Sequence, residues 1–331
     1  MTPPGSRPDP DARSGPARSS DAGDGTGPGP SPSGNRRYVL GIGHATLDRL
    51  VVVDRFPEPD SKQETPAPME EGGGPVATAM VTAARLGVPA RIVAVVGDDP
   101  TGRRIREGLD AEGVDTSALR SRAGCRSAES IVLVEPETGR RTILWNRGGG
   151  APLEAQEIPP GLVEGALALL VDGHHPEAQY SAVERASRAG VPVVLDAGSV
   201  RPATRRLLPL VDHAIVSEGF ARDWSGPDHD AALLAIRDAG PGAAVITLGE
   251  RGCVGRTGDG RVALPALPVG RADTNGAGDV FHGAYVAGLA VGLAFRDRLL
   301  LANAAAGLQC RTPGPRAGIP GLEEALAAAG L

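Results

Sequence analysis

Short apolar runs bounded by glycine alternate with amphipathic helical patterns through the middle of the chain, in the order ALALLVDG, AQYSAVERASRAG, VPVVLDAG, VRPATRRLLPLV, HAIVS, DAALLAIRDAG, AAVITLG. Runs that are apolar throughout, rather than at every second residue, belong to strands covered on both faces. Helices between successive strands make the sheet parallel, which fixes the class as α/β. Such sheets bind ligands beyond the carboxyl ends of their strands. Upstream, RYVLGIG and RLVVVDRF read as two strands around a glycine turn, VATAMVTAARLG as a helix ending at Gly87, RIVAVVG as a strand and GRRIREGLDAEG as a helix. ESIVLVE and RRTILWN form a strand pair across PETG. These early strand pairs are more polar and lack intervening helices, so they predict a small flap outside the central sheet.

At 331 residues, 41% hydrophobic and 3% aromatic, the chain is long enough for one large α/β domain or two modest ones with a core of Ala, Val and Leu. A net charge of -6 gives no general electrostatic reason for binding nucleic acid or an anionic membrane. No apolar run has the length of a membrane span. Cys125, Cys253 and Cys310 are widely spaced and make neither a zinc pattern nor a disulfide framework, so reduced thiols in a cytoplasmic setting are expected. Residues 1–35 are rich in Pro, Gly, Ser and Asp and are expected to be a disordered tail ahead of a domain at 36–331.

After the strand-like RVALPALPV, the segment DTNGAGD turns into the helical run AGDVFHGAYVAGLAVGLA. A helix start there leaves the N–H groups of Asn275, Gly276, Ala277 and Gly278 unpaired, an anion hole favoured further by the helix dipole. Asp279, in the first turn, can accept a proton from an alcohol held beside that anion. A Gly/Asp cluster of this kind equally serves as a plain turn and cap. Two further features favour the chemical reading. VITLGERGCV places Thr247, Gly249 and Gly252 just after a buried strand, and EEGGGPVATA places Gly72, Gly73 and Gly74 before a helix, where backbone can approach a ligand closely. No G-x-x-x-x-G-K-[ST] is present, so a P-loop is not the phosphate device. His44, His174, His175 and His282 show no metal-site spacing, and His282 is expected to pack beside Phe281.

From about residue 37 onward the chain resembles the PfkB (ribokinase-like) carbohydrate kinases. DTNGAGDVF matches the family's D-T-x-G-A-G-D-x-F, and GGGPVATAMVTAARLG, VVGDDPTG and LDAEGVDTS match its N-terminal signature in order. The resemblance implies a three-layer sandwich with a mainly parallel central sheet and a small β lid from segments about 48–70 and 128–147. It further implies an ATP- and Mg²⁺-dependent sugar kinase with Asp279 as general base and Gly276, Ala277 and Gly278 as the anion hole. Thr247, Gly249, Gly252 and Asn303 then face the nucleotide. Asp48, Gly73, Gly74 and Lys62 face the acceptor, and Trp145, ending a flap-like strand, touches or closes over it.

The look is closest to the ketohexokinase and sulfofructose kinase branch, which points to a ketose-like acceptor. Thr78 stands where ribokinase-type members carry asparagine, which counts against ribose. Ser217, Glu218 and Phe220 stand where many members have N-x-x-E, with Glu218 the candidate carboxylate for Mg²⁺. K⁺ near RTPGPRAG and a homodimer through the lid are also implied. Two other readings stay open: a nucleoside kinase of the same family and a non-catalytic sugar-binding homologue.

Overall fold

The alternating apolar segments assemble into one nine-stranded sheet among the residues described by this computed structural model, namely 38–135, 137, 140–270 and 273–331. The tail expected at 1–35 and most of the PETG turn lie outside them. The strand order is Gly260–Leu264, Cys253–Thr257, Ala243–Thr247, His213–Ser217, Val193–Ala197, Ala166–Val171, Tyr38–Ile42, Ala90–Val93, Val114–Asp115. Pairing is parallel from Ala243–Thr247 to Val114–Asp115, and the last two strands at the other edge are antiparallel.

Helices Pro75–Arg85, Ala277–Ala290 and Phe295–Gln309 cover one face, burying Met80, Tyr285 and Leu299. Helices Pro176–Ala189, Glu218–Ser225 and His229–Asp238 cover the other around Tyr180, Phe220 and Ile236. This is a ribokinase-like three-layer fold. Helices Pro75–Arg85 and Ala277–Ala290 lie almost backbone to backbone, because a Cβ at Gly283 would stand 2.4 Å from the Ala79 carbonyl oxygen.

The flap reading needs one correction. Of the first strand pair, Tyr38–Ile42 belongs to the centre of the main sheet, where its five residues are all buried. YVLGI is apolar on both faces, whereas TLDRLVV carries Asp48 and Arg49 and turns away into a second sheet. RIVAVVG also divides. Ala90–Val93 stays in the main sheet while Val95–Gly97 pairs with Arg120–Arg122.

The second sheet, the lid, has the order Met69–Gly73, Thr46–Val52, Glu129–Glu135, Arg140–Asn146. Its own buried apolar cluster is Leu50, Val132 and Val134, and its outer strand Arg140–Asn146 is exposed along its whole length.

Candidate active site

The start of helix Ala277–Ala290 is built on a left-handed glycine. Gly276 has φ +73°, and a Cβ there would lie 2.4 Å from the Pro315 carbonyl oxygen, so the turn requires glycine. Two of the four N–H groups expected to be unpaired are in fact used. Asn275 N donates to Asp273 Oδ1 at 2.8 Å and Ala277 N to the Thr274 carbonyl at 3.3 Å, because the Asp-Thr-Asn turn closes on itself before the helix begins. The first i→i−4 bond runs from Val280 N to the Gly276 carbonyl, which leaves the N–H groups of Gly278 and Asp279 without a helical acceptor. A Cβ at Gly278 would meet nothing within 4 Å, so an open cradle faces these groups.

Asp279 keeps some contact with solvent yet is enclosed by protein on most sides. Burial pushes its carboxyl well above the usual range, Asp196 and Asp48 push it further, and Arg316 opposes them. Asp196 closes the carboxyl end of strand Val193–Ala197, and burial raises its carboxyl too. His282, one turn beyond Asp279, sits with Nε2 3.4 Å from Asp196 Oδ1 and Nδ1 2.6 Å from the Gly278 carbonyl. Its ring also meets Phe281 edge-on at 6.4 Å.

Asp48 Oδ1 accepts hydrogen bonds from Thr46 Oγ1 at 2.9 Å and Ser130 Oγ at 2.7 Å. Its Oδ2 is so close to Gly73 that a Cβ there would stand 2.2 Å away. At Gly74 (φ +92°) a Cβ would stand 2.7 Å from the His44 carbonyl oxygen, so the glycine pair is what lets this corner lie against Asp48 and His44. Beneath them Arg316 is buried, donating from Nη2 to the Gly73 carbonyl at 2.9 Å and from Nε to Thr78 Oγ1 at 3.2 Å. Burial lowers its pKa to about 10 against the opposing pull of Asp48 and Glu71.

On the other side of the helix start, Thr247 ends strand Ala243–Thr247 and its hydroxyl meets the Val216 carbonyl at 3.4 Å. Gly249 and Gly252 both have positive φ. A Cβ on Gly252 would lie 2.1 Å from the Leu264 carbonyl oxygen, whereas one on Gly249 would meet nothing within 4 Å. Asn303 Nδ2 donates to the Pro265 carbonyl at 2.7 Å, so it braces the neighbouring segment. Glu218 Oε1 is paired with Arg251 Nη2 at 2.5 Å and lies 2.9 Å from His229 Nε2, and these partners hold its carboxyl low. Among the described residues no three His, Cys, Asp or Glu side chains form a metal cluster.

Trp145 is half exposed on the lid, paired opposite Ser130, with its ring 6.5 Å from that of His44. Lys62 is exposed in the connection between the lid strands Thr46–Val52 and Met69–Gly73. The lid also reaches the helix start, where Arg141 donates to the Thr274 hydroxyl.

The structure thus sets Asp48, Gly73 and Gly74 in one corner over Arg316, and Asp48 and Arg316 are near enough to Asp279, which follows the turn Gly276, Ala277, Gly278, to act on its charge. Ser130, Asp196 and Arg316 join them without having been marked by any motif. Asp196 had a usable signal, a carboxylate at the carboxyl end of a buried parallel strand. Arg316 had a weaker one, a cation in the Gly/Pro-rich RTPGPRAGIP.

The pfkB family carbohydrate kinase model matches residues 36–322. Ribokinase from Bacillus subtilis is 29% identical over 300 residues, covering 86% of this chain and 96% of its own. Fructokinase-1 from Oryza sativa subsp. japonica is 29% identical over 273 residues, covering 76% of this chain and 83% of its own. The solved structure of Arabidopsis thaliana ribokinase with ribose and ATP shares the fold, with a TM-score of 0.78 at 22% identity over 89% of this chain and 99% of its own. With the signature helix start, the sheet order and the family match in agreement, the chain belongs to the pfkB family of carbohydrate kinases, a family of phosphotransferases.

Proposed function

We propose that this kinase transfers the γ-phosphoryl group of ATP to a hydroxyl of a ketose-like sugar, with Asp279 as general base. The observation that carries the reading is the helix start, where Asp279 adjoins the open cradle before Gly278. The acceptor hydroxyl gives its proton to Asp279 as it attacks, and the N–H groups of Gly278 and Asp279, aided by the helix dipole, hold the phosphoryl oxygens. Ala277 and Gly276 shape that cradle. Asp48 orients the sugar, with Gly73 and Gly74 giving it room and Trp145 and Lys62 on the lid side. Thr78 is covered by Arg316 rather than extended toward a sugar, which supports a ketose over ribose.

ATP fits the residues present, since Gly249 leaves open space beside Thr247 and Gly252 tightens the same loop against the Leu264–Pro265 segment that Asn303 braces. Mg²⁺ bound with ATP supplies neutralisation of phosphate charge. Glu218 is available to it only when the Arg251 pair opens. Both carboxylate oxygens of Asp273 accept backbone N–H groups, from Asn275 and Gly314, which ties the helix start to the RTPGPRAG segment where K⁺ is proposed. Exposed Ile143, Leu144 and Trp145 on the lid's edge strand support a homodimer through the lid. Among the described residues no helix is long and apolar enough to cross a membrane, and a cytoplasmic setting is part of this proposal.

ADP release from Mg-ATP, measured against fructose, tagatose, ribose, fructose 6-phosphate, 2-keto-3-deoxygluconate and adenosine, tests the reading. The highest kcat/KM is expected on a ketose. A preference for ribose or adenosine overturns the acceptor assignment, and silence on every ketose of the panel overturns it too, leaving an unlisted acceptor or a non-catalytic homologue for ligand-induced thermal shifts to separate. Gly252→Ala is expected to destabilise the protein by about 2–4 kcal/mol, from a strained φ and the overlap with Leu264. It should also raise KM for ATP more than KM for the sugar, as steady-state kinetics and thermal unfolding will show.

A further inference from the structure

A cavity of about 130 Å³ lies on the lid side of the acceptor carboxylate, and its lining is one-sided in charge. Arg126, Arg147, His44, His174, His175 and Ser127 supply its polar groups; no Asp or Glu lines it, while behind the wall Asp172 accepts the backbone N–H groups of His44 and His174 and Asp99 accepts the Ser127 hydroxyl, so the arginines carry the lining's charge. The cavity adjoins the acceptor position. Ser130, which holds Asp48, is paired opposite Trp145, and the Trp145 ring meets that of His44 on the cavity wall. Backbone geometry fixes the two arginine-bearing segments together. Gly149 N donates to the Arg126 carbonyl at 3.0 Å, and Gly148, at φ +75°, passes so near that carbonyl that a Cβ would stand 2.4 Å away.

The hydrogen-bonding state of the lining is as lopsided as its charge. His175 Nδ1 accepts the Leu153 N–H at 3.3 Å, which places the ring proton on Nε2. That Nε2 is buried with no partner among the described residues, and so is Nε2 of His44. A buried donor without an acceptor is destabilising, and an oxyanion in the cavity would supply one. Arg147 stands over the Trp145 ring at 4.5 Å, which leaves its N–H edges for a ligand. Arg126 meets Glu129 at 3.2 Å, but its side chain is 76% exposed and such a pair yields readily. The flat faces are already taken: His44 and His174 stack on each other at 4.5 Å, and Trp145 carries Arg147. A nucleobase seeking a stacking slot finds none there, whereas a compact anion finds donors.

We infer that this cavity receives an oxyanion, a phosphate or a carboxylate, carried by the sugar at the end remote from the hydroxyl that is phosphorylated. The inference rests on the kinase reading above and narrows its acceptor to an anionic ketose-like sugar.

The test is calorimetric binding without ATP, using fructose 6-phosphate for the phosphate, 2-keto-3-deoxygluconate for the carboxylate and fructose as the neutral comparator. One of the two anionic sugars is expected to bind at least about tenfold more tightly than fructose, as charge-assisted hydrogen bonds provide. The double variant Arg126→Gln/Arg147→Gln should erase that preference, and Arg147→Lys alone should keep part of it. Both arginine side chains are exposed, and thermal unfolding of each variant confirms that it is folded. Equal binding of fructose and both anions, or a preference that survives the double variant, overturns the inference. Turnover of fructose with no anionic preference sinks the inference and leaves the kinase standing. Arginine-dependent binding of an anionic sugar without ADP release does the reverse.

Discussion

Asp279→Asn lowers kcat by about 10³-fold, the loss expected when a positioned base is removed, while KM for ATP and for the sugar stay within a few fold. The same variant unfolds at a higher temperature than the parent at pH 7. The gain in stability follows from burial. Burial, with Asp196 and Asp48 nearby, raises the Asp279 carboxyl far above its unfolded value, so the folded state holds this proton more tightly than the unfolded chain does. Stability is therefore lost as pH rises from the unfolded carboxyl range, about pH 4, through the raised folded value. Asparagine cannot ionise and escapes that loss. Its advantage appears at neutral pH and fades toward pH 4. A variant that keeps its turnover, or is less stable than the parent at pH 7, contradicts the assignment.

Arg316→Met removes a buried cation that opposes that cluster of carboxylates. Its guanidinium is buried, anchors Gly73 and Thr78, and pulls against the raised carboxyls of Asp279 and Glu71. Loss of one partner in a buried charge network is expected to destabilise the protein by about 3–5 kcal/mol. Denaturant unfolding at several pH values measures it. The deficit is largest where Asp279 and Glu71 would ionise and shrinks as pH falls and both take up protons. A deficit independent of pH would mean that Arg316 acts through packing alone.

The legible part of this molecule was its periodicity and its glycines. Continuous apolar runs identified the parallel strands, and DTNGAGD located the helix start, because a left-handed turn followed by a carboxylate leaves few alternatives. Less legible was anything decided by long-range pairing. Tyr38–Ile42 and Thr46–Val52 are close in sequence yet part into different sheets, and the polar Asp48 and Arg49 in the second strand hint at it. Arg316 reaches Gly73 across most of the chain's length, a contact that no local pattern encodes. Asn275 and Ala277 show the opposite limit: the helix start was located correctly, but the tight turn before it consumed two of the N–H groups that the pattern alone would leave free.

The close approach at Gly283 has a mechanical consequence. Two helices seated backbone to backbone cannot slide without collision, so Asp279 and the glycine corner before Pro75 travel as one anvil. Any gate to the site must swing on the thin lid, whose own apolar cluster among the described residues is three side chains and whose exposed tie to the helix start is the Arg141–Thr274 contact. The reacting geometry is stiff and its door is light, so the speed at which product leaves is open to tuning by surface residues that never touch the sugar.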